Sequence, residues 1–232
     1  MKLAVIPARG GSKRIPRKNV RPFLGRPIIR YSIDAALQSG LFDRVVVSTD
    51  DEGIADTARA LGADTPFMRP PQLADDFSGT NEVVRHAIEW FEASGESVDL
   101  ACCIYATAPF ISIEDLRAGY RALSASDAPF AFSVTTFPYP VQRALRRTET
   151  GKVCLFQPAH VATRSQDLET AWHDAAQFYW GRAFAFREGR NLFAGEAIGV
   201  PVARERVQDI DTEEDWERAE VLYRVLQERG RA

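Results

Sequence analysis

The 232-residue sequence predicts an α/β fold, a mostly parallel sheet with helices on both faces. Three observations carry this. The runs "KLAVIP", "RVVVSTD" and "DLACCIYA" are almost continuously apolar, as strands buried on both sides must be. Each is followed by a stretch of helical length with an amphipathic period. Strand and helix then alternate along the chain, which requires crossovers over the sheet, right-handed ones by the usual twist.

The elements follow in order. "KLAVIP" is the first strand. "PIIRYSIDAALQSG" reads as a helix with Pro27 in its first turn and Gly40 as its stop. "RVVVSTD" is the second strand, and "DEGIADTARALGA" the second helix, with Thr49 and Glu52 spaced as a capping box. "TPFMRP" reads as a short edge strand. "GTNEVVRHAIEWFEAS" is the third helix, "DLACCIYA" a strand, "SIEDLRAGYRALSAS" a helix and "FAFSVT" another strand. At Pro138 the pattern breaks. Prolines, the turn signal Glu149-Thr150-Gly151 and weak periodicity mark a hairpin-like insertion over 138–172. The main pattern resumes with "QFYWGRAFAF" and the strand "AIGVPVA". A closing helix follows in "DIDTEEDWERAEVLYRVLQERG", capped by Thr212 with Asp215 in its first turn. The expected division is a main domain of 1–137 plus 173–232, and an inserted lobe of 138–172.

Net charge is −3, which does not suggest nucleic-acid binding. Three cysteines without metal or disulfide spacing, no apolar run of membrane-spanning length and no signal-like N-terminus lead to the expectation of a cytoplasmic protein without a membrane partner. The charge is unevenly placed, however. Residues 1–33 hold nine Lys/Arg and no acid, so the remainder carries all 32 Asp/Glu.

That imbalance centres on "IPARGGSKRIPRKN", directly after the first strand. Ligands of open α/β sheets sit beyond the carboxyl ends of the strands. Gly10 and Gly11 permit close backbone approach, Ser12 and Lys13 add donors, and Arg9 adds a planar fork for phosphate oxygens. Crowded cations of this kind suit a multiply charged anion such as a nucleoside triphosphate. The stretch fits neither the Walker nor the dinucleotide glycine pattern; the alternative is a solvated basic loop. A triphosphate also requires a divalent cation. In "QDIDTEEDW", Asp209 and Asp211 lie at i and i+2 on an extended segment, so their carboxylates converge. Two such oxygens suit Mg2+, whereas helix capping accounts for only one acid. Asp50 and Asp51 read instead as a helix start.

The segment "IPARGGSKRIPRKN" resembles the nucleotide-binding segment of the CMP-sugar synthetases, cytidylyltransferases that act on acidic eight- and nine-carbon sugars. The similarity extends over nearly the whole chain through "RPPQLADDFSGT", "FPYPVQRAL", "RSQDLE" and "WHDAAQFYWG", which are similar to the pseudaminic acid branch. The resemblance implies a Rossmann-like nucleotidyltransferase fold with a small β-rich dimerisation insertion. It also implies CTP as co-substrate, held by Ala8, Arg9, Gly10, Ser12, Lys13, Lys18 and Asn19. Arg9, Lys18, Asp209 and Asp211 would be the catalytic set, with Asp209 and Asp211 on the metal. The insertion would reach across a homodimer to complete the partner's sugar site; a flap over its own pocket is the alternative.

In "IYATAPF", Tyr105 and Ala106 stand where sialic acid synthetases carry Gln-Pro, which argues against sialic acid; Thr107 and Pro109 still fit. Tyr105, Thr107, Arg143, Arg164, Gln166, His173, Asp174, Gln177 and Tyr179 are the polar candidates for the acidic sugar, with Phe178 and Trp180 as aromatic ones. His173 reads equally as a structural His–Asp pair. The rival readings are a synthetase for sialic, legionaminic or keto-deoxyoctonic acid, and a catalytically silent CTP-binding sensor.

Overall fold

The computed structural model describes residues 1–74 and 79–230. Residues 75–78, within the "RPPQLADDFSGT" stretch, lie outside the described residues. In chain order the elements are β1 (Lys2–Pro7), β2 (Pro22–Phe23), β3 (Arg26–Pro27), α1 (Ile29–Ser39), β4 (Arg44–Ser48), α2 (Glu52–Ala60), α3 (Thr80–Ala93), β5 (Leu100–Ile104), α4 (Ile113–Ser124), β6 (Phe130–Thr136), β7 (Leu145–Arg147), β8 (Val153–Leu155), β9 (Trp172–Arg182), α5 (Ala183–Arg187), β10 (Ile198–Pro201) and α6 (Glu213–Glu228).

Six strands form the main sheet in the order β10-β6-β9-β5-β1-β4. β1 pairs in parallel with β4 and β5, and β10 in parallel with β6. The exception is β9, which runs antiparallel between β5 and β6. Its amino end therefore lies at the carboxyl edge of its neighbours, with Trp172 opposite Thr136.

Alternation along β1 shows how both faces are covered. Ala4 and Ile6 pack with α1, α2 and α4 residues such as Ile33, Ile54 and Leu116. Leu3 and Val5 face the other way, toward Val84 and Ile88 of α3 and Phe186 of α5. A third cluster joins the two ends of the chain: Ile15 and Phe23 pack with Ile210, Trp216 and Leu226. The Phe23 and Trp216 rings meet edge to face at 5.6 Å, and Arg21 lies over Trp216 while pairing with Glu213 at 2.7 Å. This apolar clasp sets the basic loop after β1 against the segment before α6.

Several local expectations are corrected. Asp51, not Thr49, caps α2, accepting from the Ile54 amide at 2.9 Å; Thr49 is buried and braces the Asp51 amide. "TPFMRP" forms no strand, and only an isolated bridge joins Val46 and Asp64. Pro27 belongs to β3, and α1 begins at Ile29. "QFYWGRAFAF" supplies an antiparallel strand rather than another parallel unit. Gly40 ends α1 at φ +66, and the Thr212–Asp215 capping box of α6 is present. Between β6 and β9 the chain makes the β7–β8 hairpin and three single 3-10 turns. Leu145, Val153, Phe156 and Val161 of this arm are all more than half exposed.

Candidate active site

Both loops at the carboxyl edge of β1 and β5 open onto one cleft of about 540 Å³. Arg9, Lys13, Lys18 and Asn19 of the basic loop line it, with Thr107 after β5 and Asp211 from the segment before α6. The loop is held from within. Asn19, buried, donates from Nδ2 to the Arg9 carbonyl at 2.9 Å. The Gly10 amide donates to Asp50 Oδ1 at 2.8 Å, and a Cβ on Gly10 would lie 2.9 Å from Asp51 Cβ. Gly10 is thus required for close approach to the β4–α2 turn, which ties Asp50 and Asp51 to the shape of the loop. Gly11 has open space around it.

Asp211 of the acid pair meets the basic loop directly. Lys18 Nζ donates to the Ile210 carbonyl at 2.6 Å and lies 3.4 Å from Asp211 Oδ1, while Arg14 Nη1 lies 3.0 Å from Asp211 Oδ2. Protein packed around Asp209 displaces part of its water and raises its carboxyl pKa; the neighbouring Asp211 charge raises it further, against the opposing pull of Lys18. Two crowded carboxylates, one holding its proton more tightly than usual, make an oxygen donor set that a divalent cation would relieve. Among the described residues no group of three or more metal-ligating side chains forms. Two carboxylates alone do not complete a metal site; they fit a cation such as Mg2+ that keeps waters and takes further oxygens from a bound triphosphate.

Sequence reasoning missed Arg69. It is buried in the wall of the same cleft, where it donates to the Ser48 carbonyl and, at 3.2 Å, to Ser48 Oγ. Burial pushes its pKa down to about 10, with Asp50 opposing the drop. A lone Arg between Met68 and Pro70 was a signal, because a buried guanidinium is rare unless its donors are satisfied. Arg14 stood within the cationic run but was not singled out.

A second cavity of about 310 Å³ adjoins the cleft, sharing Thr80 and Tyr105 with it. Asp174 and Tyr179 line it. A third, of about 500 Å³, shares Asp174, Leu192 and Phe193 with the second and holds His173. The predicted sugar residues therefore divide. Tyr105, Asp174 and Tyr179 converge on the second cavity. His173 faces the third, its Nδ1 2.8 Å from the Asp174 carbonyl oxygen. Gln177 is buried and donates to the Arg206 carbonyl at 2.5 Å. Phe178 and Trp180 point into the helix-covered core. Arg143, Arg164 and Gln166 stand on the arm and line none of these three cavities; Arg164 pairs with Asp167 at 2.7 Å.

An α/β sheet with a cationic loop and Asp211 on one cleft, and Asp209 two residues away, fits a nucleotide-binding transferase architecture. The chain belongs to the cytidylyltransferase family, whose model matches residues 3–226. A pseudaminic acid cytidylyltransferase of Campylobacter jejuni is 45% identical over 226 residues, 97% of each chain. The Helicobacter pylori protein described as a pseudaminic acid cytidylyltransferase and UDP-2,4-diacetamido-2,4,6-trideoxy-beta-L-altropyranose hydrolase is 34% identical over 90% of this chain and 40% of its own. The solved structure of a CMP:2-keto-3-deoxy-manno-octonic acid synthetase complexed with CTP superposes with a TM-score of 0.72 at 18% identity, covering 97% of this chain and 98% of that one, a likeness of fold.

Proposed function

We propose that this chain transfers the cytidylyl group of CTP to pseudaminic acid, an acidic nine-carbon sugar, giving the CMP-sugar and pyrophosphate. The observation that carries the reading is the meeting of Arg14 and Lys18 with Asp211 in a cleft that shares Thr80 and Tyr105 with a second cavity. Near full-length identity of 45% to a pseudaminic acid cytidylyltransferase supports the choice of sugar.

In this reading the triphosphate lies against Arg9, Ser12, Lys13 and Lys18, and the sugar occupies the second cavity beside Tyr105, Asp174 and Tyr179. The anomeric hydroxyl attacks the α-phosphorus and gives up its proton to water; a new phosphorus–oxygen bond forms as the bond to the pyrophosphate breaks. Alignment across the junction of the two cavities and charge neutralisation by the loop cations lower the barrier. Asp209 and Asp211 would hold Mg2+, which supplies charge neutralisation at the phosphates when bound. Lys18, fixed by the Ile210 carbonyl, sits at the Asp211 end of the cleft.

The arm over 138–172 is the inserted lobe of a homodimer in this account. Its exposed Val153, Phe156 and Val161 suit burial against a second copy. A panel of acidic sugars with CTP, read by pyrophosphate release, tests the reading. Turnover with pseudaminic acid well above sialic, legionaminic and keto-deoxyoctonic acids is expected. CTP binding without turnover on any sugar would favour the silent sensor instead.

A further inference from the structure

On a regular strand Asp174 and Tyr179, five positions apart, would face opposite sides of the sheet. Here they touch. The pairing of β6 with β9 slips between Phe132, opposite Tyr179, and Val134, opposite Asp174. Within that bulge Ala176 sits at φ +52, a left-handed conformation uncommon for alanine. Asp174 holds it there: Oδ1 accepts from the Ala176 amide at 2.8 Å, and Oδ2 accepts from the Tyr179 hydroxyl at 2.6 Å.

This arrangement decides which way the hydrogen bonds run. A carboxylate only accepts. The single Tyr179 proton is committed to Asp174, and the Tyr179 oxygen in turn accepts from the Tyr105 hydroxyl, so its remaining lone pair can only accept from anything else. The Tyr105 ring lies against that of Tyr179 with centroids 5.2 Å apart, and both line the second cavity with Asp174. Tyr179 is 5% exposed, so water competes little for its oxygen. The wall made by Asp174 and Tyr179 therefore offers acceptors and a negative charge, and no donor.

We propose that Asp174, acting through Tyr179, is a positioning residue that makes this wall accept hydrogen bonds only, so that it selects an N–H or O–H group of the bound sugar and turns the sugar's carboxylate and acyl carbonyls away. This rests on the proposed seating of the sugar in the second cavity. The wall chooses substrates with an acylamino or hydroxyl donor at the position that reaches it. It also fixes the sugar's direction, with the carboxylate away from Asp174.

The test compares pseudaminic acid with an analogue in which an acylamino N–H is replaced by an ester oxygen, measuring pyrophosphate release. The wild type is expected to favour the acylamino sugar in kcat/KM by about tenfold, the worth of one good hydrogen bond to a charge-backed acceptor. Asp174→Asn and Tyr179→Phe are expected to raise the sugar KM and bring that ratio close to one, with the KM for CTP unchanged. Tyr179→Phe keeps the Asp174–Ala176 bond, so it separates polarity from collapse of the bulge. Unchanged discrimination in Tyr179→Phe, or equal rises in both KM values, overturns the proposal. Asn191→Trp, which crowds the same cavity, reports on the seating itself. If it raises the sugar KM while the Asp174 and Tyr179 variants keep the discrimination, only the polarity falls. If it leaves the sugar KM unchanged, the seating falls as well.

Discussion

Lys18 and Asp211, separated by 193 residues in sequence, lie 3.4 Å apart, and the Lys18 ammonium also donates to the carbonyl of Ile210 at 2.6 Å. The first loop and the last loop of the sheet thus share one charge-paired edge. A partly exposed ion pair of this kind contributes only modestly to stability. What places it is the apolar clasp of Ile15, Phe23, Ile210 and Trp216. The loop cations and the acid pair are consequently aligned before any nucleotide arrives.

Replacing Lys18 by Gln removes the charge and shortens the side chain by one atom. The expected result is a fall in kcat/KM for CTP of about 10²–10³-fold, the usual loss for one fixed donor at developing charge. The melting temperature should scarcely move. Steady-state kinetics together with thermal unfolding check both halves.

Gly119 of α4 faces β9 so closely that a Cβ there would lie 2.6 Å from Phe178 and 2.7 Å from Trp180. Both rings are fully buried and cannot swing aside. Gly119→Ala should therefore destabilise the fold by about 1–3 kcal/mol, as overpacking does, despite the better helix propensity of alanine. Urea unfolding measures it.

His86 packs edge to face on Phe67 at 4.8 Å, and its Nδ1 is buried with no hydrogen-bond partner among the described residues. Burial, helped by Arg69 and opposed by Glu89, holds its pKa below the ordinary value. The unfolded chain therefore takes up the proton first as pH falls. Stability from the neutral ring is complete above the unfolded value of about 6.5 and is lost as pH drops below it. His86→Leu should flatten the decline in melting temperature between neutral pH and about pH 5.

Phe156 on the arm is 61% exposed and lies under Arg146 at 5.7 Å. If the arm closes a homodimer, Phe156→Glu buries an unpaired charge in that contact. Sedimentation should show a shift from dimer to monomer mass at micromolar concentration, with the fold intact by circular dichroism.

Much of this arrangement was legible in the sequence, and the parts that were not share a cause. The apolar strands β1, β4 and β5, the basic loop and the Asp209–Asp211 couplet declare themselves locally, through period and charge. β9 did not, because an antiparallel strand in the middle of a sheet buries the same apolar residues as a parallel one, and its direction is set by pairing with β5 and β6. The juncture of Asp174 with Tyr179 depends on a bulge that breaks the alternation on which strand reading relies. Arg69 escaped because its role follows from burial against Ser48, a contact between segments 21 residues apart. Gln177 was a sugar candidate by its place in "WHDAAQFYWG", yet its side chain donates to the Arg206 carbonyl.

In the proposed function, Asp211 and the cationic loop hold a metal-bound triphosphate between them. The most direct measurement is a paramagnetic Mn2+ titration in the presence of CTP, comparing wild type with Asp211→Asn. Tight Mn2+ binding by the wild-type complex is expected, weakened at least about tenfold in the variant, the usual scale for disturbing a metal site. Equal Mn2+ affinity in the two proteins would contradict that proposal.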